Sequence, residues 1–297
     1  MSTILIGVDS SARSEDAVAL GRRLALAGTG KVIAATMTPS DHPDRDQAHA
    51  TVRRMSGLLM GIEPDRIRTA IVTGRSPAEA LHGLAESDHA SVLVVGSSHR
   101  GRLGRVQPGG TAERLLAGSP CAVALAPDGY RVPADKPLTR VGVAFDGSPE
   151  SRTAFAAAVS AAQACNAELE VITVIPTRVY GAPVLGAPSG YEVVRADVEG
   201  SLRHDHAEAL TDLPDAVRVE SVMLEGHPAM VLAERSADLD LLFIGSRGYG
   251  PLRAVLTGGT CGAVTRTAQC PVIVLPRGVE APLAEVFDAA AVAGRLA

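Results

Sequence analysis

The chain is written twice, and that repeat constrains its fold more than any other feature. "GSSHRGRLGRVQPGGT", Gly96 to Thr111, aligns without a gap with "GSRGYGPLRAVLTGGT", Gly245 to Thr260, at a constant offset of 149, and Cys121 meets Cys270 at the same offset. Upstream, "LIGVDSSARS" (Leu5 to Ser14) pairs with "GVAFDGSPES" at an offset of 137 for Asp9 and Asp146. "TGRSPAEAL" (Thr73 to Leu81) pairs with "EGHPAMVL" at an offset of 152 for Gly74 and Gly226. The drift in offset places the insertions chiefly around Arg178 to Gly190, as loops vary on a shared scaffold. With 297 residues the chain is long for a single core, so the repeat divides it into two domains.

The first copy spans residues 1–127 and the second 139–276. Between them "APDGYRVPADKPL" is rich in Pro, Gly and Asp and poor in periodic apolar residues, which makes 128–138 a linker. Residues 277–297 have no counterpart after the first copy, and read equally as a docked helix or a frayed tail.

Each copy alternates strand and helix. "ILIGV" reads as a strand, and Ala17, Leu20, Gly21, Leu24 and Ala25 form a small-residue stripe at helical spacing behind it. Ser148 and Pro149 have the form of an N-cap and a first-turn proline. The runs "SVLVVG" with "LLFIG" and "CAVALA" with "CPVIVL" are almost without charge, as strands covered by helices on both faces are. This predicts an α/β fold of two tandem, doubly wound, five-stranded parallel-sheet domains of Rossmann-like type. Ligands of such sheets bind beyond the carboxyl ends of the strands, where strand order reverses.

The glycine-rich runs fall at that end. Gly245 ends the fourth strand of its copy, and the residues from Gly258 open a helix whose unpaired N–H groups and partial positive charge suit phosphate. The candidate nucleotide-binding set in these loops is Gly245, Ser246, Arg247, Gly248, Gly250, Gly258, Gly259 and Thr260 in the second copy, and Gly96, Gly109, Gly110 and Thr111 in the first. Asp9 and Asp146, each just past a first strand, face the same crevice and suit sugar hydroxyls or a base amino group; a helix-capping role is equally open to them. A base on one side and phosphate on the other describe a nucleotide.

At these residues the chain resembles the universal stress protein family in its tandem form, over nearly all of residues 3–276. The most specific part is G-x2-G-x9-G, carried by Gly245, Gly248 and Gly258. The resemblance implies ATP binding, with Mg²⁺ as a companion ion. It places Gly248, Gly259 and Thr260 on the phosphates, Gly245 on the ribose, and Ala144, Asp146 and Val174 on the adenosine, with Gly7 and Asp9 as the first copy's counterparts. In the first copy His99 stands where the family has its second glycine, which makes the second copy the better site. Arg100, Arg102 and Arg105 are open to two readings, phosphate contact or a solvated face. Gly110 and Gly259 occupy a position where the family often has a phosphate-binding serine, a hydroxyl that Thr111 and Thr260 offer one residue on. The resemblance also implies pairing of "CAVALA" with "CPVIVL" across a pseudo-two-fold, and leaves a homodimer open.

Other classes fall away. No G-x4-G-K-[ST], first-strand G-x-G-x-x-G or G-x-S-x-G run occurs, so rapid NTP hydrolysis, dinucleotide binding and a serine hydrolase are not expected. His204 and His206, at i and i+2, point apart on a helix and do not make a metal site. A net charge of −5 with scattered basic residues argues against nucleic acid or an anionic membrane as partner. No leader or run of about twenty apolar residues is present, and four cysteines without C-x-x-C spacing suit a reducing compartment, so the expected location is the cytoplasm. The expected function is an ATP-binding regulatory or stress-response module. Its rivals are a slow ATPase or phosphotransferase using the same pocket, and a nucleotide-free interaction scaffold.

Overall fold

Strand and helix alternate through both copies of the computed structural model, which describes residues 2–39, 44–98, 103–130, 133, 136–177, 188–211, 213–246, 259–278 and 283–287. The first copy runs β1 (Thr3–Gly7), α1 (Arg13–Leu26), β2 (Lys31–Pro39), α2 (Arg45–Ser56), β3 (Ile67–Gly74), α3 (Pro77–Ser87), β4 (Val92–Gly96), α4 (Gly110–Gly118) and β5 (Ala122–Ala126). The second runs β6 (Arg140–Ala144), α5 (Pro149–Cys165), β7 (Glu168–Pro176), α6 (Pro188–Thr211), β8 (Arg218–Gly226), α7 (Pro228–Arg235), β9 (Leu241–Gly245), α8 (Thr260–Thr267) and β10 (Val272–Leu275).

Within each copy the strands are parallel, in the order β3-β2-β1-β4-β5 and its equivalent β8-β7-β6-β9-β10. Register repeats as well: Ile6 lies opposite Val94, and Val143, 137 residues on from Ile6, lies opposite Phe243, 149 on from Val94. Strand order reverses between β1 and β4, and between β6 and β9, which fixes the crevice in each copy.

The two sheets join through β5 and β10, which pair antiparallel with Ala124 opposite Ile273. Those residues are 149 apart and therefore equivalent, so a local pseudo-two-fold passes between them. The result is one ten-stranded sheet in which each last strand covers the other's open edge. Leu93, Val123, Leu125, Phe243, Val272 and Ile273 along these inner strands are fully buried, each side chain contributing about 1.5–3 kcal/mol relative to exposure. Small residues set the layer spacing: Ala154, Ala157, Ala158, Ala161 and Ala162 form the buried face of α5.

A buried ionic cluster locks α1 to the second copy. Arg23 donates to the Tyr130 hydroxyl at 2.8 Å, to the Pro137 carbonyl at 2.6 Å and to Asp240 at 3.0 Å. Asp240 also accepts from the Thr139 amide at 2.8 Å and its hydroxyl at 2.7 Å. Burial opposes the Asp240 charge, yet the Thr139 donors and Arg23 outweigh it and hold the carboxyl at about 2. Beyond the second copy, Leu283–Val286 forms a 3-10 turn that buries Leu283 and Val286. Next to it Phe287 is buried with its ring 6.0 Å from that of Phe243. This part of the chain's end is docked.

Candidate functional site

Helix starts differ along the chain, and α1 and α7 begin at Ala12 and His227 without a side-chain cap. α2, α3 and α5 begin with side-chain caps, Asp44, Ser76 and Ser148, each accepting from a first-turn amide. α4 and α8 begin at Gly109 and Gly259, both extended and without a side-chain cap. Among the described residues no side chain caps these first turns, whose N–H groups lie at the carboxyl edge of the sheet and suit an anionic acceptor.

In the first copy the residues before α4 are anchored from below. The Ser97 hydroxyl donates to the Ala126 carbonyl at 2.7 Å and accepts from the Gln107 amide at 3.1 Å, while the Ser98 amide donates to the Gln107 carbonyl at 2.7 Å. Above this base lies a cleft of about 610 Å³, of a size that holds a small organic ligand. Gly7, Asp9, Gly96, Gly109, Gly110 and Thr111 all line it. One wall is apolar, with Ala35, Met37, Leu81 and Val95; the other carries Ser98 and the start of α4.

Asp9 and Asp146 hold their loops in the same way. Asp9 Oδ1 accepts from the Ser11 amide at 2.8 Å and the Ser14 hydroxyl at 2.7 Å. Asp146 Oδ1 accepts from the Ser148 amide at 3.1 Å and hydroxyl at 2.5 Å. Both residues therefore shape the turn into the following helix, whose N-caps are Ala12 and Ser148, and Asp9 also lines the cleft. Gly147, next to Asp146, adopts a left-handed φ of +76°. Arg152 donates to the Gly147 carbonyl at 3.2 Å and to Asp205 on α6 at 2.9 Å, so α6 is clamped to this turn.

The glycines that end β4 and β9 have a packing role. A Cβ on Gly96 would stand 2.7 Å from the Arg13 carbonyl oxygen, and one on Gly245 would stand 2.7 Å from that of Glu150. Each lets a helix N-terminus approach the sheet. A Cβ on Gly110 or Gly259, in contrast, would meet nothing within 4 Å among the described residues.

In the second copy Ala144 ends β6, Val174 lies on β7, and Gly245, Ser246, Gly259 and Thr260 flank the loop. The Ser246 amide donates to the Leu275 carbonyl at 2.9 Å, tying the end of β9 to β10. Arg247, Gly248, Gly250 and Gly258 lie outside the described residues, as do His99, Arg100 and Arg102 in the first copy. Arg105 is committed across the seam between copies: its Nη1 donates to the Thr267 carbonyl at 3.4 Å, and the adjacent Val106 amide donates to the Ala268 carbonyl at 2.8 Å.

Sequence reasoning did not single out Ser14, Met37 or Leu81. Met37 is legible in hindsight, because Val174 minus the constant offset of 137 is position 37. Outside the crevice, both ring nitrogens of His206 are engaged, Nδ1 with Thr173 at 2.6 Å and Nε2 with Ser221 at 2.8 Å. The four cysteines are free; Cys121 and Cys270 are buried, and burial raises the Cys121 thiol to about 11. Among the described residues no helix is long and apolar enough to cross a membrane.

Comparison with known proteins adds the lineage. The model of the universal stress protein family matches twice, over residues 1–127 and 137–276. A universal stress protein of Mycobacterium tuberculosis is 33% identical over 189 residues, covering 63% of this chain and 62% of that relative. Another from the same organism is 29% identical over 212 residues, covering 68% and 70%. The solved structure of a universal stress protein from Archaeoglobus fulgidus covers 93% of this chain and 96% of its own with a TM-score of 0.64 at 21% identity. A putative one from Pseudomonas aeruginosa covers 97% and 98% with a TM-score of 0.66 at 18% identity. At such identities the solved structures speak for the fold.

Proposed function

The chain belongs to the universal stress protein family as two copies in tandem, and from that premise we propose that it is an ATP-binding regulatory module of the stress response, with the triphosphate held by its second copy. The observation that carries this reading is the start of the two glycine-led helices: α4 and α8 open without a side-chain cap at the carboxyl edge of the sheet, and in the first copy the start of α4 and Asp9 line one cleft. The first-copy cleft gives the dimensions that this topology builds, and the second copy repeats its strands in the same register. The second copy also carries Gly248 where the first has His99, and its α8 has no acidic residue in the first turn.

In this reading the α8 amides and the Thr260 hydroxyl bind phosphate oxygens, Asp146 accepts from the ribose, and Ala144 and Val174 pack on the adenine. Mg²⁺ would travel with the phosphates. A regulatory role in the cytoplasm goes with it. Mass spectrometry of nucleotide released from the protein purified from cells tests the proposal. Bound adenine nucleotide at a substantial fraction of one per chain supports it, and a nucleotide-free protein whose melting temperature ignores added ATP removes it, since a ligand at a hundred times its Kd adds about 2.7 kcal/mol.

A further inference from the structure

The helices that open at the two crevices differ in the acidic residue of their first turn. α4 carries Glu113 in its first turn, whereas α8 has no acidic residue there and Gly262 stands at the equivalent position, 149 residues on. Glu113 lines the first-copy cleft and is exposed. Its backbone amide is spent within the helix, on the Gly109 carbonyl at 2.9 Å, and among the described residues its carboxylate has neither an ion pair nor a hydrogen bond.

Other charges among the described lining residues do not offset it. Arg13, the one cation among the described lining residues, is paired with Asp128 at 3.2 Å, and Asp9 adds a second carboxylate on the opposite side. Arg105 faces the Thr267 carbonyl. In the second copy Glu150 takes the place of Arg13 but is neutralised by Arg277 at 3.3 Å. Each of these ion pairs cancels within its own copy, so among the described residues that line the first cleft and their described second-copy equivalents, Glu113 against Gly262 is the charge difference that remains.

A carboxylate in the first turn already answers the partial positive charge of the helix end, and it repels a polyanion brought to the same amides. The apolar wall of Ala35, Met37, Leu81 and Val95 is untouched by that repulsion. Resting on the reading of both clefts as adenosine sites, we infer that the first-copy cleft takes an uncharged nucleoside in preference to a nucleoside triphosphate, with Glu113 as the residue that sets the preference. One chain would then hold two sites of different ligand class.

Photolabelling the full chain with 8-azidoadenosine and with 8-azido-ATP, then assigning labelled peptides to residues 1–127 or 139–276, tests this. The first copy should be labelled at lower concentrations of the nucleoside than of the triphosphate, with the order reversed in the second. Glu113→Gln should lower the triphosphate concentration needed at the first copy about tenfold, leaving the second copy and the melting temperature unchanged. The inference is overturned if the unsubstituted first copy takes the triphosphate as readily as the nucleoside, if it takes neither while the second copy is labelled, or if Glu113→Gln alters nothing. A chain labelled at neither copy by either reagent removes the nucleotide reading itself, and this inference with it.

Discussion

Arg13 Nε lies 3.2 Å from Asp128 Oδ1, and the equivalent positions in the second copy, Glu150 and Arg277, pair at 3.3 Å with the signs exchanged. In both copies the chain leaving the last strand is thereby tied to the first turn of the first helix, beside the crevice. Two like arrangements of opposite sign also disfavour docking of either segment on the wrong copy.

Exchanging signs should therefore be tolerated only in pairs. Arg13→Glu places two carboxylates together and should cost about 1 kcal/mol, most of it recovered in the double variant Arg13→Glu, Asp128→Arg, which adopts the second copy's order. Urea denaturation of the two single variants and the double variant measures the coupling; strictly additive effects would show the pair to be energetically silent.

Gly96 and Gly245 should resist even the smallest side chain. The Cβ of alanine at either would press on a backbone carbonyl at 2.7 Å, which the helix can relieve only by moving, so Gly96→Ala and Gly245→Ala should each lose about 1–3 kcal/mol. Gly110→Ala, with open space around its Cβ, is the control and should stay within about 0.5 kcal/mol. Equal melting temperatures for Gly96→Ala and Gly110→Ala would contradict the packing role.

How much of this was legible in the sequence follows from what the repeat encodes. Strand–helix alternation and the crevice were readable because uncharged runs and glycine loops recur at fixed offsets, the β5–β10 pairing came with the family resemblance, and the α5 cap was readable because Ser148-Pro149 is local chemistry. The Arg23–Asp240 lock was not, since it joins residues 217 apart whose meeting depends on how the copies dock. Gly245 was read as a strand end and a nucleotide contact; its packing against Glu150 comes from a helix 95 positions upstream, which no local pattern announces. The turn-forming side of Asp9 needed Ser14 at i+5, a spacing outside the usual capping motifs.

Acid should loosen the seam between the copies. Asp240 titrates at about 2 in the fold against 3.8 without it, so its stabilisation is fully present above about pH 4 and is lost as pH falls towards 2. The contribution at neutral pH is on the order of 2 kcal/mol. Asp240→Asn should remove it and flatten the acid limb of a stability profile between pH 4 and 2; an unchanged acid limb would contradict the assignment.

A second, milder dependence should come from His206. The Thr173 hydroxyl donates to the Phe145 carbonyl at 2.9 Å, so it accepts from Nδ1–H, and Nε2 accepts from Ser221: the ring is held neutral. Burial lowers its pKa below the ordinary value of 6.5, so its stabilisation is complete above about pH 6.5 and declines as pH falls below that. Melting curves from pH 7.5 to 5 should show the decline in the unsubstituted protein and lose it in His206→Gln; a decline of the same size in both would place its origin elsewhere.

The central claim is that the second copy grips a triphosphate through amides at the start of α8. Calorimetric titration of the full chain with ATP tests it most directly, alongside Gly248→Val, which puts a branched side chain in the sequence pattern G-x2-G-x9-G ahead of that helix. The account predicts one ATP bound per chain and none in Gly248→Val. Absence of binding heat in the unsubstituted protein, or binding that Gly248→Val leaves intact, would contradict it.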